Sequence, residues 1–311
     1  MSLDLFSPIK HYLHAIADNA VTDILLKEKI NRRTDFLTDK ALHCKEPGIT
    51  AEKYCKEDIT VTLTSYGKRI ETVYLAIESI MQGSMLPNKI ILWLAENDLS
   101  KIELPQTLIN QKKRGLEIIR CEDMRSYKKL IPALIKYPND CLVTIDDDLI
   151  YDYNMLEYLI KAHKNHPEEI CAKRTHRVKL TDDGTFKNYH DWGKCLCDKD
   201  SSFFNFATSG AGTLFPPHTF NDQVFNRKAL EICSHADDVW FYCMAVLNGT
   251  KTFRTMGNLW NGEDYLEIEG SQNLSLMSFN TTREQDGSCE NDKQLKTVLD
   301  LYPEILDKLK E

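Results

Sequence analysis

The segment CLVTIDDDLIYDY, residues 141 to 153, places three consecutive aspartates directly after a run of strand-forming residues. Carboxylates packed this closely repel one another, and the cost rises when the site is partly dry. A solvated acidic turn or a helix N-cap would explain the triplet, and so would a site for a divalent cation. The position of Asp146, Asp147 and Asp148 immediately after a buried strand favours the cation site.

The residues before the triplet predict alternating strands and helices. Helical periodicity covers residues 70 to 81, and a second helical segment at 126 to 137 turns Leu130, Ile131, Leu134 and Ile135 inward. Strand patterns occur in ITVTLTSY (59–66), KIILWLAE (89–96), LEIIRC (116–121) and CLVTI (141–145). This order predicts an α/β fold with a mostly parallel sheet flanked by helices. Ligands of such sheets bind beyond the carboxyl ends of the strands, where the aspartates lie.

The flanking parts of the chain are less regular. Residues 1 to 57 predict a helical N-terminal extension, for which packing on the main domain is the default expectation. After the triplet we expect a strand within residues 170 to 178 and a glycine-containing loop at 206 to 217. A helix is predicted from Asp237 to about Asn248, since two acidic residues suit its start and a glycine follows its end.

Composition limits the class of protein. The chain has 311 residues and a net charge of −8, which argues against a nucleic acid as partner. Its ten cysteines include no CxxC pair, and the first residues lack the pattern of a signal peptide, so we expect reduced thiols and a cytoplasmic protein. No apolar run approaches the ~18 residues of a membrane span.

Five segments in this order resemble one family. They are TLTSYGKRI, MRSYKKLIPAL, LVTIDDDLIY, TSGAGTLFPP and ADDVWFYCMAVLNGTK, and together they resemble bacterial glycosyltransferases of the GT-A fold, the glycosyltransferase family 2-like enzymes of surface polysaccharides. The resemblance covers roughly residues 58 to 300. It implies a GT-A-like domain at 58–311, with a nucleotide-binding half at 58–150 and an acceptor-binding half at 151–311.

The resemblance also implies the residues that hold the donor and its metal ion. Asp146 and Asp148 match the DxD motif that binds Mn²⁺ or Mg²⁺, with Asp148 favoured for direct contact, whereas Asp147 has no assigned role. Four of the nucleotide-binding candidates have an alternative: Tyr66 can pack in the core, and Arg69 and the two lysines can be solvated. The candidates are Thr64, Ser65, Tyr66, Arg69, Lys128, Lys129 and Asp146.

The acceptor half supplies the remaining candidates. Gly210, Ala211 and Gly212 match a loop that lines the donor and acceptor sugars, although a plain tight turn is the alternative. Asp238 matches the catalytic base of inverting members, with Asp237 as its support. Helix capping is the alternative for both aspartates.

The resemblance implies a metal-dependent glycosyltransferase of surface polysaccharide synthesis. We expect inversion at the anomeric carbon, and retention, in which Asp238 would act otherwise, stays open. Its donor is a nucleotide-diphosphate sugar, with UDP as one candidate nucleotide, and its acceptor is a hydroxyl of a glycan or lipid-linked glycan. Peripheral association with the inner face of the membrane is a candidate arrangement. Two alternatives stay open: a nucleotidyltransferase, although the glycine-rich loop expected after its first strand is missing, and a non-catalytic partner that binds nucleotide sugars.

Overall fold

The computed structural model describes residues 7–99, 103–193, 199–255, 265–270 and 276–310. The strands are β1 (Ile59–Thr64), β2 (Lys89–Ala95), β3 (Leu116–Cys121), β4 (Cys141–Thr144), β5 (Leu149–Tyr151), β6 (Ile170–Ala172), β7 (Thr175–Arg177), β8 (Ser201–Ser202), β9 (Asn205–Ala207), β10 (Thr213–Phe215), β11 (Thr252–Arg254) and β12 (Tyr265–Glu267). The α-helices are α1 (Ser7–His43), α2 (Tyr74–Met81), α3 (Glu96–Leu99), α4 (Gln106–Lys113), α5 (Ile131–Lys136), α6 (Met155–Asn165), α7 (Ala229–Ile232), α8 (Asp237–Asn248), α9 (Leu276–Thr281), α10 (Glu290–Leu301) and α11 (Glu304–Lys308). Short 3₁₀ turns lie at Gly67–Glu71, Arg125–Lys129, Tyr189–Asp191, Ser209–Ala211 and Asp222–Phe225.

The main sheet has eight strands in the order β3-β2-β1-β4-β10-β6-β11-β8. Strands β1 to β4 pair in parallel, and β10 runs antiparallel to both β4 and β6. Strand β11 is parallel to β6, while β8 is antiparallel to β11. The pairs β5–β12 and β7–β9 form two small antiparallel sheets. The predicted α/β fold with a mostly parallel sheet between helices is therefore confirmed.

The sheet is covered on both faces, which explains its apolar central strands. Successive residues of a strand point to opposite faces, so Ile90 and Leu92 of β2 join one core while Ile91 and Trp93 join the other. Helices α2 and α6 contribute to the first core, and α8 and α10 contribute to the second. This two-sided packing fixes where each strand ends, and so where the residues after it lie.

Two local predictions were correct only in part. The segment 126–137 forms a 3₁₀ turn and then the separate helix α5, because Pro132 suits only the first turn of a helix. As a result Ile135 is 65 % exposed instead of facing the core. The strand expected at 170–178 is divided into β6 and β7, which belong to different sheets.

Helix α1 packs on the main domain at its C-terminal half. Leu37 is fully buried and shares a core with Leu75 of α2, Ile150 of β5 and Leu266 of β12. Within the part of the chain that the structure describes, no helix is both long and apolar enough to cross a bilayer. The eight described cysteines are free thiols, five of them buried, and Cys195 and Cys197 lie outside the described residues.

Candidate functional site

The aspartate triplet lies in the turn that leaves the main sheet. Strand β4 ends at Thr144 and β5 begins at Leu149, so the three aspartates stand at the carboxyl edge of the sheet. The parallel neighbour β1 ends at Thr64 on the same edge, and Thr62 pairs with Thr144 across the ladder. The residues that follow β1 are therefore within reach of the triplet.

Asp147 fastens the triplet to the end of β1. Its carboxylate accepts a hydrogen bond of 2.6 Å from Ser65 Oγ and one of 2.8 Å from Arg69 Nη1. Burial raises the pKa of Asp147, while the charge of Arg69 and the bond from Ser65 act in the opposite direction. The central aspartate, for which the sequence suggested no role, is thus a buried link between two strand ends.

Asp146 is held by groups from two other elements. Its backbone N–H donates to the hydroxyl of Tyr151 at 2.7 Å, and that hydroxyl in turn donates to the carbonyl of Gly210. A Cβ atom on Gly210 would stand only 1.8 Å from Oδ2 of Asp146. The glycine predicted to allow a ligand to approach therefore also gives room to a protein carboxylate.

Asp148 lies in buried, acidic surroundings that raise its pKa. Its Oδ2 lies 3.2 Å from Nη1 of Arg69, and its side chain is only 12 % exposed. Burial and then the neighbouring charge of Asp146 raise the pKa of Asp148 to about 7. At neutral pH this carboxylate is therefore poised to lose its proton when a cation approaches.

Lys129 joins the triplet to the predicted catalytic helix. Its buried ammonium lies 3.2 Å from Oδ1 of Asp146 and 3.0 Å from Oδ2 of Asp237, the first residue of α8. Its carbonyl accepts a 2.6 Å hydrogen bond from Thr62 in β1, which fixes the lysine backbone. Burial alone would lower the pKa of Lys129, but the surrounding carboxylates raise it well above its usual value.

Asp238 is held by the glycine-containing loop. Its Oδ1 accepts a hydrogen bond from the backbone N–H of Ser209 at 3.1 Å and another from the Ser209 hydroxyl. Burial raises the pKa of Asp238 to about 6, although the nearby charge of Lys129 opposes that rise. The N-cap residue of α8 is Ala236, so the capping alternative does not describe Asp237 or Asp238.

The other predicted residues lie around this centre with different partners. Tyr66 is 43 % exposed, and its ring centroid is 5.7 Å from the guanidinium of Arg69. Thr64 donates to the carbonyl of Trp93 at 2.8 Å. Lys128 pairs with Asp123 at 2.5 Å, so its ammonium is engaged away from the aspartates that hold Lys129.

The loop residues Gly210, Ala211 and Gly212 are buried beside the triplet. Gly212 has a φ of +98°, a conformation that favours glycine, and a Cβ there would stand 2.9 Å from Sδ of Met155. Backbone geometry and crowding thus account for Gly212, as the carboxylate of Asp146 accounts for Gly210.

Two residues of the site were missed by the sequence analysis. Tyr151 supports Asp146, and Ser209 supports Asp238. The sequence around Tyr151 also fits an ordinary core strand, and the sequence around Ser209 also fits an ordinary turn, so neither pattern indicated a site residue. The only available signal was their adjacency to residues already selected, since Tyr151 follows the triplet closely and Ser209 precedes Gly210.

We define the carboxylate cluster as Asp146, Asp147, Asp148, Asp237 and Asp238. Its acidic groups outnumber the cations that pair with them. The cations Arg69 and Lys129 form ion pairs with the cluster. Asp146 remains 37 % exposed at its side chain, which leaves its oxygens accessible. Oxygen ligands and excess negative charge are what Mn²⁺ and Mg²⁺ require, so the residues present fit such an ion.

Comparisons with known proteins do not identify the chain. No model of a protein family matches it, and no curated protein matches it. The functional assignment therefore depends on the geometry of the site together with the resemblance noted above.

Proposed function

We propose that this chain is a metal-dependent glycosyltransferase of the GT-A fold. The observation that carries the proposal is the double ion pair of Lys129, which brings the DxD-like triplet and the start of α8 into one site. These segments are about ninety positions apart in the sequence, and a solvated acidic turn would not require their meeting. A donor-binding part and an acidic group suited to proton removal therefore share one edge of the sheet.

The proposed donor is a nucleotide-diphosphate sugar, with UDP as a candidate nucleotide. The exposed ring of Tyr66, next to the guanidinium of Arg69, offers a stacking surface for a base. Asp146 and Asp148 are the proposed ligands of Mn²⁺ or Mg²⁺. When bound, such an ion supplies Lewis-acid neutralisation of charge on the departing diphosphate.

Asp238 is the proposed catalytic base. Both hydrogen bonds from Ser209 use Oδ1, and among the described residues no hydrogen bond to Oδ2 is found. That second oxygen is suited to accept the proton of an acceptor hydroxyl as the hydroxyl oxygen attacks the anomeric carbon, with inversion. A pKa of about 6 keeps Asp238 ionised at neutral pH yet basic enough for proton transfer.

The proposed acceptor is a glycan or a lipid-linked glycan in surface polysaccharide synthesis. The proposed location is the cytoplasm, with peripheral association at the inner face of the membrane. Asp237 is assigned a supporting role, because its contact with Lys129 fixes the first turn of α8.

A ligand screen followed by an activity assay tests the proposal. Nucleoside diphosphates and nucleotide sugars are added with and without Mn²⁺, and the thermal midpoint is measured, since a ligand of the folded state raises it. We expect a metal-dependent rise for one nucleotide. Absence of any rise across UDP, GDP, CDP, ADP and their sugars would overturn the donor assignment.

Variants of Asp238 separate binding from turnover. We expect Asp238→Asn to keep the nucleotide-dependent thermal shift and to lower kcat by roughly 100-fold or more, the usual contribution of a general base. Asp222→Asn, an exposed aspartate outside the cluster, is the matched control. Release of pyrophosphate from a nucleoside triphosphate and a sugar phosphate would instead support a nucleotidyltransferase.

A further inference from the structure

A second group of potential metal ligands lies at the opposite edge of the main sheet from the carboxylate cluster. It consists of Cys55, Glu57, Cys141 and His163, which we call the Cys–His cluster. Cys141 is the first residue of β4, whereas the aspartate triplet follows the last residue of that strand. Cys55 and Glu57 precede β1, and His163 lies in α6, so three separate parts of the chain contribute.

The four side chains offer one ligand atom each, and these atoms all lie within 4.8 Å of one another. Nε2 of His163 is 3.3 Å from Sγ of Cys141 and 3.7 Å from Oε2 of Glu57. A tetrahedral Zn²⁺ with standard bond lengths places sulfur and nitrogen ligands about 3.6 Å apart, and nitrogen and oxygen ligands about 3.4 Å apart. The observed separations are each within a few tenths of an ångström of those values.

The burial of the cluster is also that of a closed metal site. Cys141 is fully buried and His163 is 3 % exposed, while Cys55 and Glu57 are half-buried. Nδ1 of His163 is buried and, among the described residues, has no hydrogen-bond partner. The nitrogen that faces the two thiols and the carboxylate is Nε2, which is available as a ligand when the proton resides on Nδ1.

We propose that the Cys–His cluster binds one structural Zn²⁺ with Cys55, Glu57, Cys141 and His163 as its ligands. Two thiolates, an imidazole and a carboxylate form the borderline-soft ligand set that Zn²⁺ accepts, whereas Mg²⁺ and Mn²⁺ prefer oxygen alone. All four positions are filled by protein, as in structural sites rather than catalytic ones. The ion ties the segment before β1 to β4 and α6, and its role is independent of the proposed transferase activity.

Metal analysis of the untagged, full-length protein tests the site directly. We expect one zinc per chain after dialysis, measured by plasma mass spectrometry, and a lower thermal midpoint after removal of zinc by a chelator. Replacement by Co²⁺ should give the visible bands of a tetrahedral ion and a thiolate-to-cobalt charge-transfer band. A protein that takes up neither zinc nor Co²⁺ with these bands overturns the proposal.

Variants identify the ligands. Cys55→Ser should lose stoichiometric zinc and the charge-transfer intensity of one thiolate, and its thermal midpoint should become insensitive to the chelator. Cys44→Ser, which changes another half-buried cysteine outside the cluster, should retain both properties. Equal zinc content in the two variants overturns the assignment, and so does a disulfide between Cys55 and Cys141 found by peptide mass mapping of protein kept under reducing conditions.

Discussion

Replacing Asp148 by asparagine should stabilise the metal-free protein at alkaline pH. The carboxylate of Asp148 is buried, and burial together with the charge of Asp146 raises its pKa from 3.8 to about 7. The folded protein therefore binds the Asp148 proton more tightly than the unfolded chain does. The contribution of Asp148 to the free energy of unfolding therefore falls as the pH rises from near 4 to about 7, and the loss is complete above that range. An asparagine has no proton to lose and avoids this cost.

The size of the effect follows from the pKa values. At about 1.4 kcal/mol for each tenfold change in proton affinity, ionising Asp148 in the fold costs up to about 4 kcal/mol above pH 7. Asp148→Asn gives up the 3.2 Å contact with Arg69, but Arg69 keeps its 2.8 Å bond to Asp147. The stability difference between variant and wild type should thus increase in favour of the variant by up to about 4 kcal/mol from pH 4 to pH 8.

Urea unfolding in the presence of EDTA, at intervals from pH 4 to pH 8, measures the difference. The matched control is Asp300→Asn, an exposed aspartate of α10 that should leave the pH dependence of wild type unchanged. Addition of Mn²⁺ at pH 8 should restore stability to wild type but not to Asp148→Asn. Parallel pH profiles for wild type and Asp148→Asn would refute the reasoning, since they would show that Asp148 titrates alike in both states.

Three further predictions concern the partners of the carboxylate cluster. Lys129→Met should lower the free energy of unfolding, measured in urea, by about 3–5 kcal/mol, because it leaves two carboxylates without their buried cation. Lys128→Met is the control: the partner of Lys128 is 60 % exposed, so loss of that ion pair should lower the free energy of unfolding by less than about 1 kcal/mol. Gly210→Ala should abolish the Mn²⁺-dependent thermal shift, because its Cβ would stand 1.8 Å from an oxygen of Asp146, and an unchanged shift would contradict that geometry. In the native site the hydrogen bond from the Ser209 hydroxyl lowers the pKa of Asp238. Ser209→Ala removes that bond, so it should raise the pKa of Asp238 and move the acidic limb of the kcat/KM profile to a higher pH than in wild type.

Strands β1, β2 and β4 could be predicted from the sequence to within two residues of their observed ends because they are almost entirely buried. The edge strand β3 has its predicted limits although it is only partly buried, and α8 begins at the predicted Asp237 and ends before Gly249, which has a φ of +81°. In these segments, local apolar pattern and tertiary burial agree. At Pro132 they do not agree. The apolar periodicity predicts one helix through this segment, but the proline lies in the first turn of a separate helix, α5.

The site was predictable only in part, because its contacts join residues that are distant in sequence. The choice of Asp146, Asp148 and Asp238 followed from strand ends and from resemblance, and their proposed roles remain predictions. The use of Lys129 as a bridge, and of Lys128 as the partner of Asp123, depends on which way neighbouring side chains of a 3₁₀ turn point. Periodicity cannot resolve adjacent lysines in such a turn, and it gives no indication of the Cys–His cluster.

The single nitrogen Nη1 of Arg69 is shared by Asp147 and Asp148, while the same guanidinium lies near the exposed ring of Tyr66. The binding of a ligand at the Tyr66 ring and the charge of Asp148 would therefore be coupled through the side chain of Arg69. In the proposed site, a cation that neutralises Asp148 would leave more of the positive charge of Arg69 to attract an anion bound near Tyr66. Each ligand would therefore strengthen the binding of the other. Thermodynamic reciprocity would make the two enhancements equal, so cooperative binding in the proposed site would follow from the way β1 and β4 end side by side.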